Sequence, residues 1–131
     1  MKYLSEYMND KQTEAFNKHG AFFAFSNKQL DEHKIDGVDY VSLGAGLIAP
    51  KDNAESLVND LDSIYKTAIK QDIEENGIKD IIWRELANHE CQITYDYSEV
   101  TNKLQDYGIT EEQIKAEWPA YFQNCIDNDY F

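Results

Sequence analysis

The stretch Tyr40-Val-Ser-Leu-Gly-Ala-Gly-Leu-Ile-Ala-Pro-Lys51 decides how this chain is read. A Gly-x-Gly turn stands between an apolar, strand-like run and a proline suited to the first turn of a helix. The same arrangement is found where a phosphate is cradled by backbone amides ahead of a helix N-terminus. Here the GxxxxGK[ST] pattern is missing, as is the third glycine of a dinucleotide fingerprint, and Lys51 is followed at once by Asp52. The turn over Gly44–Pro50 therefore reads as architectural, with Gly44 or Gly46 at positive φ.

Outward from that turn, Val38 to Leu43 form one strand and the aromatic run Ala21-Phe-Phe-Ala-Phe25 another, since it is too short for an amphipathic helix. Residues 3–18 have helical spacing and stop at Gly20, and Ser26 caps a short helix over 27–33. After Pro50, Leu57, Val58, Leu61, Ile64, Tyr65, Ala68 and Ile69 make one helical stripe that ends at Asn76-Gly77. A further helix spans 78–88, and Cys91–Tyr95 reads as a third, edge strand. Ser98 opens a helix stopped by Gly108. Thr110 and Gln113 fit a capping box ahead of a last helix carrying Ile114, Trp118, Tyr121, Phe122 and Cys125 on one face, which Pro119 is expected to kink or split. The expected class is α+β: one domain over 1–131, with a small antiparallel sheet of two to three strands covered by four to six helices.

Composition narrows the function. Hydrophobic residues make up 42% of the chain and aromatic residues 13%, which argues for a packed core. No apolar run approaches the roughly 18 residues of a membrane span, and MKYLSEYMNDKQ lacks the apolar region of a secretion signal. A cytoplasmic protein with reduced thiols is expected. Two cysteines and three histidines without CxxC or HxxxH spacing give no metal or cofactor site. Paired acids such as Asp60 and Asp62 read as solvated faces, and His19 and His33 as surface residues beside turns.

The net charge is −13, and it is unevenly spread: residues 85–131 hold ten acids against Lys103 and Lys115. That sign repels nucleic acid and anionic lipid and attracts basic protein surfaces. Carboxylates three or four residues apart on a helix lie about 5–6 Å from each other, comparable with phosphates along a strand. Asp96, Glu99, Asp106, Glu111, Glu112, Asp127 and Asp129, interleaved with Tyr97 and Tyr107, are the candidate partner-binding residues. The partner they suit is a basic, nucleic-acid-binding protein. His89-Glu90-Cys91 supplies the competing reading, a small enzyme with a cysteine nucleophile and histidine base; no oxyanion-hole pattern accompanies it, and the expectation is a protein that is not an enzyme. A structural or regulatory protein without mimicry is the third reading.

The segments FFAFS at 22–26, YVSLGAG at 40–46, NHEC at 88–91 and YGITEEQI at 107–114 together resemble small proteins of bacteriophages and mobile elements. By size and acidity the chain is also similar to anti-restriction and anti-CRISPR inhibitors. Those resemblances imply an inhibitor of a host defence nuclease or effector complex, acting as a nucleic-acid mimic in the host cytoplasm. They imply no catalytic residue.

Overall fold

A computed structural model describes residues 2–131, and the chain divides into two compact units. The first is Leu4–Ala68; the second is Ile69–Phe131 with Lys2 and Tyr3. The fold is α+β, with a three-stranded antiparallel sheet and seven α-helices among the described residues.

The first unit begins with α1 (Leu4–His19), which ends where Gly20 turns to φ +70°. Strand β1 is short (Phe22–Phe23), and α2 (Asn27–His33) is capped by Ser26, whose hydroxyl accepts from the Gln29 amide. Strands β2 (Tyr40–Gly44) and β3 (Leu47–Pro50) form a hairpin, and β3 lies between β1 and β2. The stretch after the glycines is thus the central strand of the sheet, which corrects the expectation of a turn leading directly into a helix. Ala45 and Gly46 both take positive φ, at 52° and 82°, as a two-residue hairpin turn of the primed type requires. An extra residue at Leu43 bulges β2 just before that turn. Gly44, at φ +94°, is positive as well, so both glycines take the positive φ expected of one or the other.

Leu47 and Ala49 point inward along β3 and pack with Ala15 of α1 and Leu57 of α3 (Ala54–Asn76). Pro50 ends the strand, and a 3-10 turn over Lys51–Asn53 precedes α3. Val58, expected on the buried stripe, is 48% exposed; the stripe is narrower than its apolar composition. His19 is buried rather than on the surface. Its Nε2 lies 2.6 Å from Asp60 Oδ2, and Asn53 donates to its carbonyl at 3.1 Å, so this end of α1 is fastened by polar bonds and Asp60 is not a free solvated acid.

In the second unit, α4 (Ile78–Asn88), α5 (Cys91–Thr94), α6 (Ser98–Leu104) and α7 (Glu111–Asn128) surround a core that includes Ile81, Ile82, Leu86, Val100, Leu104 and Ile114. Cys91–Thr94 is a helical turn, not the edge strand expected. Glu90 and Tyr95, on either side, both adopt left-handed backbone at φ 50° and 59°, which isolates a single turn from α4 and α6. Gln92 holds that turn: its Nε2 donates to the Tyr130 carbonyl and its Oε1 accepts from the Tyr121 hydroxyl. Pro119 does not split α7, which is continuous from Glu111 to Asn128 with Ile114, Tyr121 and Cys125 buried on both sides of it. Thr110 and Gln113 form the expected capping box.

Candidate functional site: an acid-rimmed aromatic face

Helical spacing puts Trp118 and Phe122 four residues apart on α7, and their rings stack at 5.6 Å between centroids. Tyr97, just before α6, meets Trp118 at 5.6 Å. Tyr95 and Phe131 each meet Phe122, at 5.6 and 5.8 Å. Five rings from three parts of the chain therefore form one cluster. It is not a core: Tyr95 is 69% exposed and Phe131 57%, while Ile93 and Ile126 nearby in sequence are also exposed.

Two carboxylates, Asp96 and Glu111, share a cleft with tyrosines of this cluster. Asp96, Tyr97 and Glu111 line one cleft of about 420 Å3 together with Tyr95, Thr101 and Asn102. The Ser98 amide and hydroxyl both donate to Asp96 Oδ1, at 2.9 and 2.8 Å, and these bonds hold the Asp96 carboxyl below its usual range. Glu99 lines a neighbouring cleft with Asp96 and His89, its Oε2 3.2 Å from His89 Nδ1. Asp106 and Glu112 are exposed, as are Asp127 and Asp129 at the end of α7, but they do not line the Asp96–Glu111 cleft. Tyr107 is the exception among the candidates. It is buried, and its hydroxyl donates to Asp72 at 2.6 Å, so it belongs to the interior and is withdrawn from the binding set.

The second unit also contains a network of buried charges. Arg84 donates from Nη1 and Nη2 to the two oxygens of Asp72, both at 2.9 Å, and from Nε to Glu85 at 3.1 Å. Asn76 and Tyr107 also donate to Asp72, and Lys103 reaches Glu85 at 2.8 Å. Burial opposes ionisation of Asp72, but the bonds from Arg84, Tyr107 and Asn76 together outweigh it and hold the carboxyl below the usual range. Burial and the Asp72 carboxylate push the Tyr107 hydroxyl upward. The network has a consequence for the surface. Lys103, one of only two basic residues after position 84, is engaged by an interior acid and does not neutralise the rim.

The sequence carried one sign of this network. Asp72 continues the apolar stripe of α3, three and four residues beyond Ile69 and Ala68. A carboxylate there has to be paired or to face solvent, and its partner Arg84 is flanked by Ile81, Ile82 and Leu86 on a buried helix.

The geometry at His89 and Cys91 departs from a catalytic pair. Cys91 is buried, and burial, with Asp96 and Glu99 adding to it, pushes its thiol up to about 11. A thiol so held is protonated near neutral pH and is a poor nucleophile. His89 closes α4 with its ring directed at carboxylates, Glu99 at 3.2 Å and Glu85 at 3.9 Å, and its Nε2 has no hydrogen-bond partner among the described residues. Among the described residues no group of three or more His, Cys, Asp or Glu side chains is placed to hold a metal ion, and no helix is long and apolar enough to cross a membrane.

A model of a family of unknown function, DUF7659, matches residues 4–124. The chain belongs to that family. No curated protein and no solved structure matches it. The family match spans both compact units and includes α6 and most of α7, so the aromatic pair Trp118 and Phe122 falls within the matched residues, while Asp127, Asp129 and Phe131 fall after them.

Proposed function

We propose that this protein binds a basic, nucleic-acid-binding protein through the face built on Tyr95, Tyr97, Trp118 and Phe122, and that its carboxylates occupy the partner's groove in place of nucleic acid. The observation that carries the reading is a ring cluster in which Tyr95 and Phe131 are exposed, beside a cleft that holds Asp96 and Glu111. Aromatic anchors at the centre with a charged rim are the anatomy of protein interfaces, in which a few large side chains provide most of the affinity. The acids would speed encounter with a positive surface. A host restriction enzyme or CRISPR effector nuclease is the partner class this reading assigns, which makes the protein an inhibitor acting in the host cytoplasm rather than an enzyme.

The test is capture of host proteins on the immobilised chain at low and high salt, followed by challenge with DNA and RNA. Screening shrinks the reach of charge from about 30 Å at 0.01 M to about 3 Å at 1 M. The expected result is a nucleic-acid-binding protein that is retained at low salt, released at high salt and displaced by nucleic acid. A partner that binds DNA and this protein simultaneously, without mutual effect, would refute mimicry.

A further inference from the structure

The second unit has another concavity, of about 530 Å3, between α4 and α7. Trp83 and Arg84 of α4 and Tyr121 of α7 line it, with the Trp83 and Tyr121 rings edge to face at 5.6 Å. Its size falls in the range of small-molecule clefts, roughly 300–1,000 Å3. Tyr3 and Tyr130 line it as well and are 46% and 55% exposed, so both have ring surface left to bury against a ligand.

Polar bookkeeping defines what the cleft accepts. The Trp83 indole N–H donates to Glu117 at 2.9 Å, and the Tyr121 hydroxyl donates to Gln92 at 2.7 Å. Gln92 in turn donates to the Tyr130 carbonyl. The Arg84 guanidinium is neutralised by Asp72 and Glu85 and also donates to the Lys2 carbonyl, so its charge is not available to an anion. These groups therefore present ring faces and edges rather than spare donors. Asp80 is different. It is the one carboxylate among the described lining residues, it is exposed, and none of the ion pairs among the described residues of the unit involves it. Lys79, outside the lining, has its Nζ 5.3 Å from the Trp83 centroid, so this ring already receives a cation on the protein's own account.

We infer that this cleft binds a small planar aromatic cation, its ring against Trp83 and Tyr121 and its cationic group at Asp80. Aromatic walls favour a flat ring, and Asp80, the one carboxylate among the described lining residues, selects a cation over an anion. The cleft is distinct from the one lined by Asp96 and Glu111, with Tyr121 meeting Trp118 at 5.9 Å between them, and the inference does not depend on the inhibitor reading.

Tryptamine is the probe, and indole-3-acetate is the same ring system with the opposite charge. The full chain has only two tryptophans, Trp83 and Trp118, so its two indole N–H resonances report the two sites separately once Trp118→Phe assigns them. Tryptamine is expected to shift the Trp83 resonance saturably, with Trp118 moving less. Indole-3-acetate should bind more weakly by about fivefold or more, and Asp80→Asn, an exposed change that leaves the core intact, should weaken tryptamine by a similar factor. No saturable shift at Trp83, equal binding of the two probes, or indifference to Asp80→Asn overturns the inference.

Discussion

Replacing Arg84 by methionine tests the buried network that underlies the second unit. The guanidinium makes two bonds to Asp72, one to Glu85 and one to the Lys2 carbonyl. Without it, Glu85 keeps Lys103, but Asp72 keeps only the neutral donors Tyr107 and Asn76 around a fully buried carboxylate. Removing one partner of a buried pair costs about 3–5 kcal/mol, mostly from the charge left behind. With a urea slope of about 2 kcal/mol/M, the midpoint followed by far-ultraviolet circular dichroism should fall by about 1.5–2.5 M with the slope unchanged. Adding Asp72→Asn should recover much of the loss, because an amide accepts the Tyr107 hydroxyl without a charge, giving a coupling of about 2 kcal/mol. The acid limb gives a second reading. Asp72 is held below its unfolded value, near 3.9, so its contribution is complete above that pH and is lost as pH falls through the lower folded value. In Arg84→Met burial loses its main opponent, and acid unfolding should begin at higher pH. A loss under about 1 kcal/mol, or strictly additive single variants, would show that the pair is not what holds these helices.

The hairpin turn offers a contrast of sign: Gly46→Ala puts a Cβ at φ +82° against the Phe25 ring and should destabilise by about 1–2 kcal/mol, while Ala45→Asn should stabilise by about 0.5–1 kcal/mol, both read from urea midpoints. In a Cys125→Ala background, alkylation of Cys91 at pH 8 should be about two orders of magnitude slower in the folded protein than in urea, since a thiol at about 11 is almost wholly protonated; rapid folded-state labelling would reopen the nucleophile reading. Thr110→Ala removes the cap of α7 and should cost about 0.5–2 kcal/mol, with Gln113→Ala adding less than its own separate effect because the two bonds are reciprocal.

The features legible in the sequence were those set by local chemistry. Gly20, Gly77 and Gly108 punctuate helices because each takes positive φ, and Thr110 and Gln113 satisfy amides within a single turn. Leu47–Pro50 was harder, because four apolar residues have no period that separates strand from turn, and only pairing with β1 and β2 makes them the sheet's centre. The form of Cys91–Thr94 is decided instead by the left-handed residues Glu90 and Tyr95 and by Gln92 bonds to residues far along the chain. At the candidate site, the acids and Tyr97 were visible as composition. The inward role of Tyr107 was not, since it depends on Asp72, 35 positions earlier in the chain. Spacing joins Trp118 and Phe122 on one face of α7 but does not join them to Tyr95, which lies on a separate element that only the tertiary fold brings to α7.

The central claim is that binding depends on where the acids lie and not on net charge alone. Two variants of equal charge separate these: Glu99, Asp106, Glu111 and Glu112 changed to lysine, and Asp10, Glu14, Glu32 and Asp36 changed to lysine in the first unit, all eight being exposed positions. With both confirmed as folded by circular dichroism, partner capture at low salt should be abolished in the first and largely retained in the second. Equal loss in both variants, or full retention in the first, would contradict the account.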